Sequence, residues 1–257
     1  QYHLDQTNGR VNTLINGYKK QFANAESQLN ASAATARQQI RTDLGPLQKL
    51  NAAPEALNKL VKKLGPSLFF VHTLDQNGQP SVGTGFVIAS NGTQSLLLTS
   101  YTTVAAATRS PSPPVFVRQG TGPDTTVTVR TWDPQYDLAL IVLPKGNLPV
   151  VISAAPKPAE QIGNRLYALS GSGSAGGAIS DGTVTDVSAN GVASTVALGT
   201  DYQGGPLVNA NGEVVAVASR TYSPLGFATS GVWYAPYVQA ACNKVLTCPN
   251  GNVAGAQ

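Results

Sequence analysis

Methionine is missing from the 257 residues altogether, and only two cysteines and two histidines are present. Two cysteines cannot form a four-cysteine zinc site, and two histidines leave little to build a metal centre from, so neither a metal nor a cofactor is expected. Charged residues make up 12% of the chain, and no apolar run approaches the ~18 residues of a membrane-spanning helix. The net charge of +4 with 42% hydrophobic residues is not the composition of a disordered chain. Without an initiator methionine ahead of Gln1, a leader or membrane anchor is expected upstream.

Charge divides the chain unevenly. Residues 1–66 hold nine Lys/Arg against four Asp/Glu, whereas residues 67–257 hold eight against nine. The basic part also has helical periodicity. Val11, Ile15, Tyr18, Phe22, Ala25, Leu29, Ala33, Ala36 and Ile40 recur by threes and fours, which places them on one helix face. Gly45-Pro46 ends that pattern, and a shorter helix is predicted from Pro54 to Leu64, with Gly65-Pro66 as its stop. Two readings of the long helix stand open: a coiled coil that makes homo-oligomers, or an amphipathic helix packed on its own chain. Lys19-Lys20 and Lys62-Lys63 are too sparse, and too free of interleaved aromatics, for a nucleic-acid surface. A leader or stalk over 1–57 and a second domain over 58–257 are expected.

From Ser67 onward the apolar period falls to two. Short runs at 67–73, 85–89, 96–99, 115–118, 126–130, 138–143, 165–169, 182–187 and 214–218 alternate with turn dipeptides such as Asn77-Gly78, Asn91-Gly92 and Asn211-Gly212. Many short strands with few helices predict a mainly β fold, a barrel or sandwich. A closing helix is predicted over about Ala235–Leu246. The two Asn-x-Ser/Thr patterns, at Asn30 and Asn91, are no more than such an asparagine-rich chain produces by chance. Gly171-Ser-Gly-Ser-Ala-Gly176 has glycine-loop spacing, but the segment after it reads as strand, so no helix N-terminus faces a phosphate. Cys242 and Cys248 are close enough in sequence to form a disulfide in an oxidising compartment.

Four segments in order carry a family likeness: Gly83-Thr-Gly-Phe-Val-Ile-Ala89, Leu98-Thr-Ser-Tyr-Thr-Thr-Val-Ala105, Tyr136-Asp-Leu-Ala-Leu140 and Asp201-Tyr-Gln-Gly-Gly-Pro-Leu207, followed by Asn209-Ala-Asn-Gly-Glu-Val-Val-Ala216. Together they resemble the trypsin-like serine proteases, and more closely the HtrA-type branch, over about residues 58–246. The resemblance implies two antiparallel six-stranded β-barrels with a cleft between them. It also implies a Ser-His-Asp triad, in which a serine attacks, a histidine takes its proton and an aspartate orients the ring.

The residues at those positions depart from the pattern. Thr102 stands at the histidine position and Gln203 at the serine position; only Asp137 of the triad remains. Asp201 replaces the glycine of the oxyanion hole, where a side chain disfavours the backbone geometry and a negative charge opposes the one being stabilised. His3 lies in the leader and His72 in the first strand, some thirty residues too early. The resemblance therefore points to a non-catalytic member, a pseudoprotease that binds a protein or extended peptide, or serves as a scaffold. Tyr202, Gln203 and Gly204 would floor its cleft, with Asp201 beside them, and Val217, Ala218, Ser219 and Arg220 would line its edge. The rival is a hydrolase with a relocated base or nucleophile, which would need His72 within reach of a cleft hydroxyl. An extracytoplasmic, bacterial, membrane-anchored setting is expected.

Overall fold

A computed structural model describes residues 53–154, 160–173, 177–226, 231–248 and 253, with isolated helical positions at Lys20, Ala23, Asn24, Ser27 and Ala31. The chain separates into two compact units, Gln1–Pro54 and Glu55–Gln257. The long apolar seam, His3 and the Asn30 pattern lie outside the described residues. Helix α1, Ala53–Leu64, starts one residue before the expected proline. It buries Leu60 and Leu64 while Lys59, Lys62 and Lys63 stay in solvent, the one-sided burial its spacing requires.

Six strands follow: β1 Leu68–Leu74, β2 Pro80–Ser90, β3 Ser95–Thr99, β4 Val115–Arg118, β5 Thr125–Asp133 and β6 Leu138–Leu143. They close into an antiparallel barrel in the order β1-β2-β3-β6-β5-β4. The other six are β7 Arg165–Ser170, β8 Ala178–Ser188, β9 Gly191–Ser194, β10 Pro206–Val208, β11 Val214–Val217 and β12 Trp233–Ala235. Their order is β11-β10-β7-β8-β9-β12. A bridge between Ala216 and Tyr237, and the Val217 N–H donating to the Pro236 carbonyl at 3.0 Å, bring the ends of this second sheet together. The architecture is thus the expected pair of six-stranded antiparallel barrels. Strands β9, β10 and β12 have no counterpart among the predicted runs. Each is only three or four residues long, so pairing with neighbours, not periodicity, makes it a strand.

Three apolar clusters hold the barrels. Val71, Val87, Leu97, Ile141 and their neighbours fill the first, and Leu166, Val184, Val192 and Leu207 fill the second. A third cluster joins Phe86, Ile88, Leu98 and Leu140 of the first barrel to Leu169, Val208 and Val217 of the second. Truncating one of these leucines to alanine would cost about 2–5 kcal/mol. Gly171 sits at the junction, where a Cβ would come within 2.3 Å of the Phe69 backbone; only glycine allows the two strands so close.

The closing helix is far shorter than predicted. Trp233–Ala235 is used as β12 against β9, and Pro236 follows. A short helix α2 spans Tyr101–Val104, and what remains at the C-terminal end is a 3-10 turn over Val238–Ala240 and one α turn, α3, Ala241–Lys244. The Cys242–Cys248 disulfide is formed.

Candidate functional site

Four loop-ends converge where the barrels meet. Ser100 follows β3 and Thr102 lies in α2, Asp137 immediately precedes β6, Gln203 follows a 3-10 turn over Thr200–Tyr202, and Ser219 follows β11. The sequence-predicted positions Thr102, Asp137 and Gln203 are therefore brought together.

Asp137 is the hub. It is 3% exposed and has a left-handed backbone, φ 51°, a conformation that a short polar residue tolerates better than most. Its Oδ1 accepts from the Ser100 hydroxyl at 2.7 Å and the Thr102 N–H at 2.7 Å. Its Oδ2 accepts from Gln203 Nε2 at 2.7 Å, Ser219 Oγ at 2.6 Å and Thr221 Oγ1 at 3.1 Å. A carboxylate withdrawn from water is stable when its lone pairs are met this fully.

Gln203 stands where the resemblance places the nucleophile, and its side chain reaches towards the base position. Besides Asp137, Nε2 donates to Ser100 Oγ at 2.8 Å, and Oε1 accepts the Arg220 N–H at 2.8 Å. The amide is 5% exposed and has partners for both N–H bonds and its oxygen. It bridges the aspartate as an imidazole would, but a primary amide neither attacks a carbonyl nor exchanges a proton near neutral pH. Thr102 Oγ1 meets Thr221 Oγ1 at 2.9 Å, which ties α2 to the segment after β11.

The backbone around Asp201 is also committed. The Gln203 N–H donates to the Thr200 carbonyl at 3.2 Å. The Asp201 carbonyl accepts from Thr84 Oγ1 at 2.6 Å and Ser170 Oγ at 2.9 Å, and its carboxylate accepts from Ser172 Oγ at 2.8 Å. An N–H turned into a 3-10 turn is not aimed at a substrate oxyanion.

The expected cleft is correspondingly altered. Gln203, Gly204, Val217, Ala218 and Ser219 are buried, so the hydrogen-bonding floor expected from Asp201, Tyr202 and Gln203 is spent within the protein. Of the expected strand edge over 217–220, Val217 lies in β11 and Ala218 spends its backbone groups on Gly204 and Gly205 at 2.8 Å. β11 stops at Val217, and Ser219 Oγ accepts the N–H groups of Thr221 at 3.1 Å and Tyr222 at 2.8 Å, which turns the chain inward. The physical reason is the serine itself, whose hydroxyl substitutes for a backbone partner two residues on. Tyr222 then stacks on Tyr136 with centroids 6.0 Å apart, Lys244 Nζ lies 4.5 Å over Tyr136, and Tyr222 Oη donates to the Asn190 carbonyl at 2.6 Å. Tyr202 stays half-buried, and exposed Arg220 lies 5.8 Å over the Trp233 ring.

Ser100, Thr221, Tyr222 and Tyr136 escaped the sequence reading. Their only signal was hydroxyl density, Thr99-Ser-Tyr-Thr-Thr103 and Ser219-Arg-Thr-Tyr-Ser223, around the altered positions. His72 does not enter this network: Nε2 faces Asp124 Oδ1 at 3.0 Å and the ring is stacked between Phe70 and Phe116. Among the described residues no three His, Cys, Asp or Glu side chains group as metal ligands, and no helix is long and apolar enough to cross a membrane.

Two six-stranded barrels with an aspartate-centred site at their junction define the trypsin-like class. Residues 83–217, just over half of the chain, match the trypsin-like peptidase domain family, and the chain belongs to that family. Among solved structures, a crystal structure of Deg5 superposes with a TM-score of 0.60 at 17% identity, covering 76% of this chain and 94% of the Deg5 chain. That likeness is one of fold. No curated protein matches the chain.

Proposed function

We propose that this protein is a non-catalytic trypsin-like domain that works as a scaffold or protein-binding module. The observation that carries the reading is the Gln203 amide, which bridges Asp137 at 2.7 Å and Ser100 at 2.8 Å in the place of base and nucleophile. Thr102 and Asp201 support it independently, the first by offering no base and the second by its carboxylate at the oxyanion position. The filled centre and inturned 219–222 segment favour a partner that meets the outer surface, around exposed Arg220, over a peptide threaded through the cleft. We further propose that the domain is extracytoplasmic and membrane-anchored, and that the leader self-associates.

Purified full-length protein should leave casein intact and stay unlabelled by a serine-directed phosphonate. The Thr102→His, Gln203→Ser double variant should remain inactive until Asp201→Gly is added, because the nucleophile and base alone do not rebuild the oxyanion site. Hydrolysis by the unaltered protein would overturn the reading. Full activity of the double variant would show that Asp201 is no obstacle.

A further inference from the structure

Three Asn-Gly pairs lie in turns between strands: Asn77-Gly78, Asn91-Gly92 and Asn211-Gly212. All three asparagines are exposed, so access to water does not set them apart. In such a pair the glycine nitrogen can close a five-membered ring on the preceding side-chain amide, since no Cβ crowds its approach. The three turns differ at both atoms that would react.

Two of the nitrogens are spent as donors. The Gly78 N–H donates to the Asp75 carbonyl at 3.1 Å, and the Gly212 N–H to the Asn209 carbonyl at 3.0 Å. The Gly92 N–H has no such partner among the described residues, and a Cβ built on Gly92 would meet nothing within 4 Å. The electrophile differs as well. Asn91 Oδ1 accepts the Thr93 N–H at 2.9 Å, the Gln94 N–H at 2.8 Å and the Thr93 hydroxyl at 3.1 Å. Those donors polarise Cγ and oppose charge that develops on its oxygen, as an oxyanion hole does. The turn itself is braced, with the Asn91 N–H on the Gln94 carbonyl at 3.0 Å and the Asn91 carbonyl on the Asn147 N–H at 2.7 Å.

We propose that Asn91 is a site of self-catalysed modification, cyclising with Gly92 and losing its side-chain nitrogen as ammonia. Hydroxide takes the Gly92 amide proton, and the nitrogen attacks Asn91 Cγ. The carbonyl electron pair moves to Oδ1, where the Thr93 and Gln94 donors meet the charge. As that pair returns, the Cγ–Nδ2 bond breaks and Nδ2 leaves with a proton from water. A water molecule then opens the succinimide, at Cγ to give aspartate or at the main-chain carbonyl to give isoaspartate. Water is consumed and ammonia released, with no oxidant or reductant. Either product puts a negative charge on the β2–β3 turn. Isoaspartate also adds a methylene to the main chain where Gly146 packs so closely that its Cβ would lie 2.2 Å from the Asn91 carbonyl oxygen. The modified turn therefore no longer fits the segment after β6.

Peptide mass mapping of the full chain, aged at pH 8 in buffer and in urea, tests this. In the folded protein Asn91 should deamidate about tenfold faster than Asn77 or Asn211. In urea the three rates should agree within about threefold, because only local sequence then acts. Thr93→Val removes one donor, so it should slow Asn91 about threefold and leave the other two sites unchanged. Folded-state rates within about threefold of one another would overturn the proposal. So would a lead for Asn91 that persists in urea, or an Asn91 rate untouched by Thr93→Val.

Discussion

Gln203 shows how one side-chain amide can help to satisfy a buried anion. Asp137 keeps five donors, and the amide supplies the only one that also reaches Ser100 and receives the Arg220 N–H. Gln203→Ala removes those contacts and leaves buried polar atoms unmet, so its unfolding free energy should fall by about 2–3 kcal/mol. Gln203→Glu keeps the shape but sets a second carboxylate against Asp137. It should cost roughly 3–5 kcal/mol at neutral pH. Repulsion raises the affinity of the pair for a proton, so this variant should regain stability as pH falls and lose it as pH rises. Urea unfolding of the three proteins at pH 5 and pH 8 checks the sign. That Thr102, Asp137 and Gln203 belong to one site was legible in the sequence, because motif order and spacing pick them out without coordinates. The direction in which the Gln203 side chain turns was not, since a rotamer answers to neighbours a hundred residues away.

Turns, more than strands, decide what this cleft has become. The Ser219–Tyr222 turn brings the Tyr222 ring against Tyr136 and its hydroxyl to Asn190, joining the segment after β11 to the β8–β9 hairpin. Burial, and secondarily the neighbouring Tyr136 phenol, push the Tyr222 hydroxyl up to about 12 from an ordinary 10.0. A raised folded value means that Tyr222 contributes its full stabilisation below pH 10 and loses it as pH climbs towards 12. Absorbance at 295 nm should show a late tyrosine step that accompanies alkaline unfolding, and Tyr222→Phe should reduce that step without removing it, because burial also raises Tyr234 and Tyr237. The strand-rich pattern, the α1 boundaries and the disulfide partners could be read ahead of the structure. The inward turn could not: 214–218 reads as strand, and what stops it is a serine hydroxyl capturing two backbone N–H groups.

Across the chain, a near-neutral double barrel follows a basic leader. If the leader is the assembling element, light scattering should give the full chain a multiple of its 26.5 kDa, and residues 53–257, which retain all of α1, should be monomeric. A monomer in both would remove self-association from the proposal. Composition, period and motif order by themselves determined the mainly β class and the likeness to the trypsin-like family, because these depend on residue identity and local spacing. Only the tertiary structure decided that Ser100, Thr102, Gln203, Ser219 and Thr221 all converge on the Asp137 carboxylate, and that the chain turns at Ser219 to bring Tyr222 against Tyr136. Both rest on contacts between segments far apart in the chain, and their partners exist only once both barrels have closed.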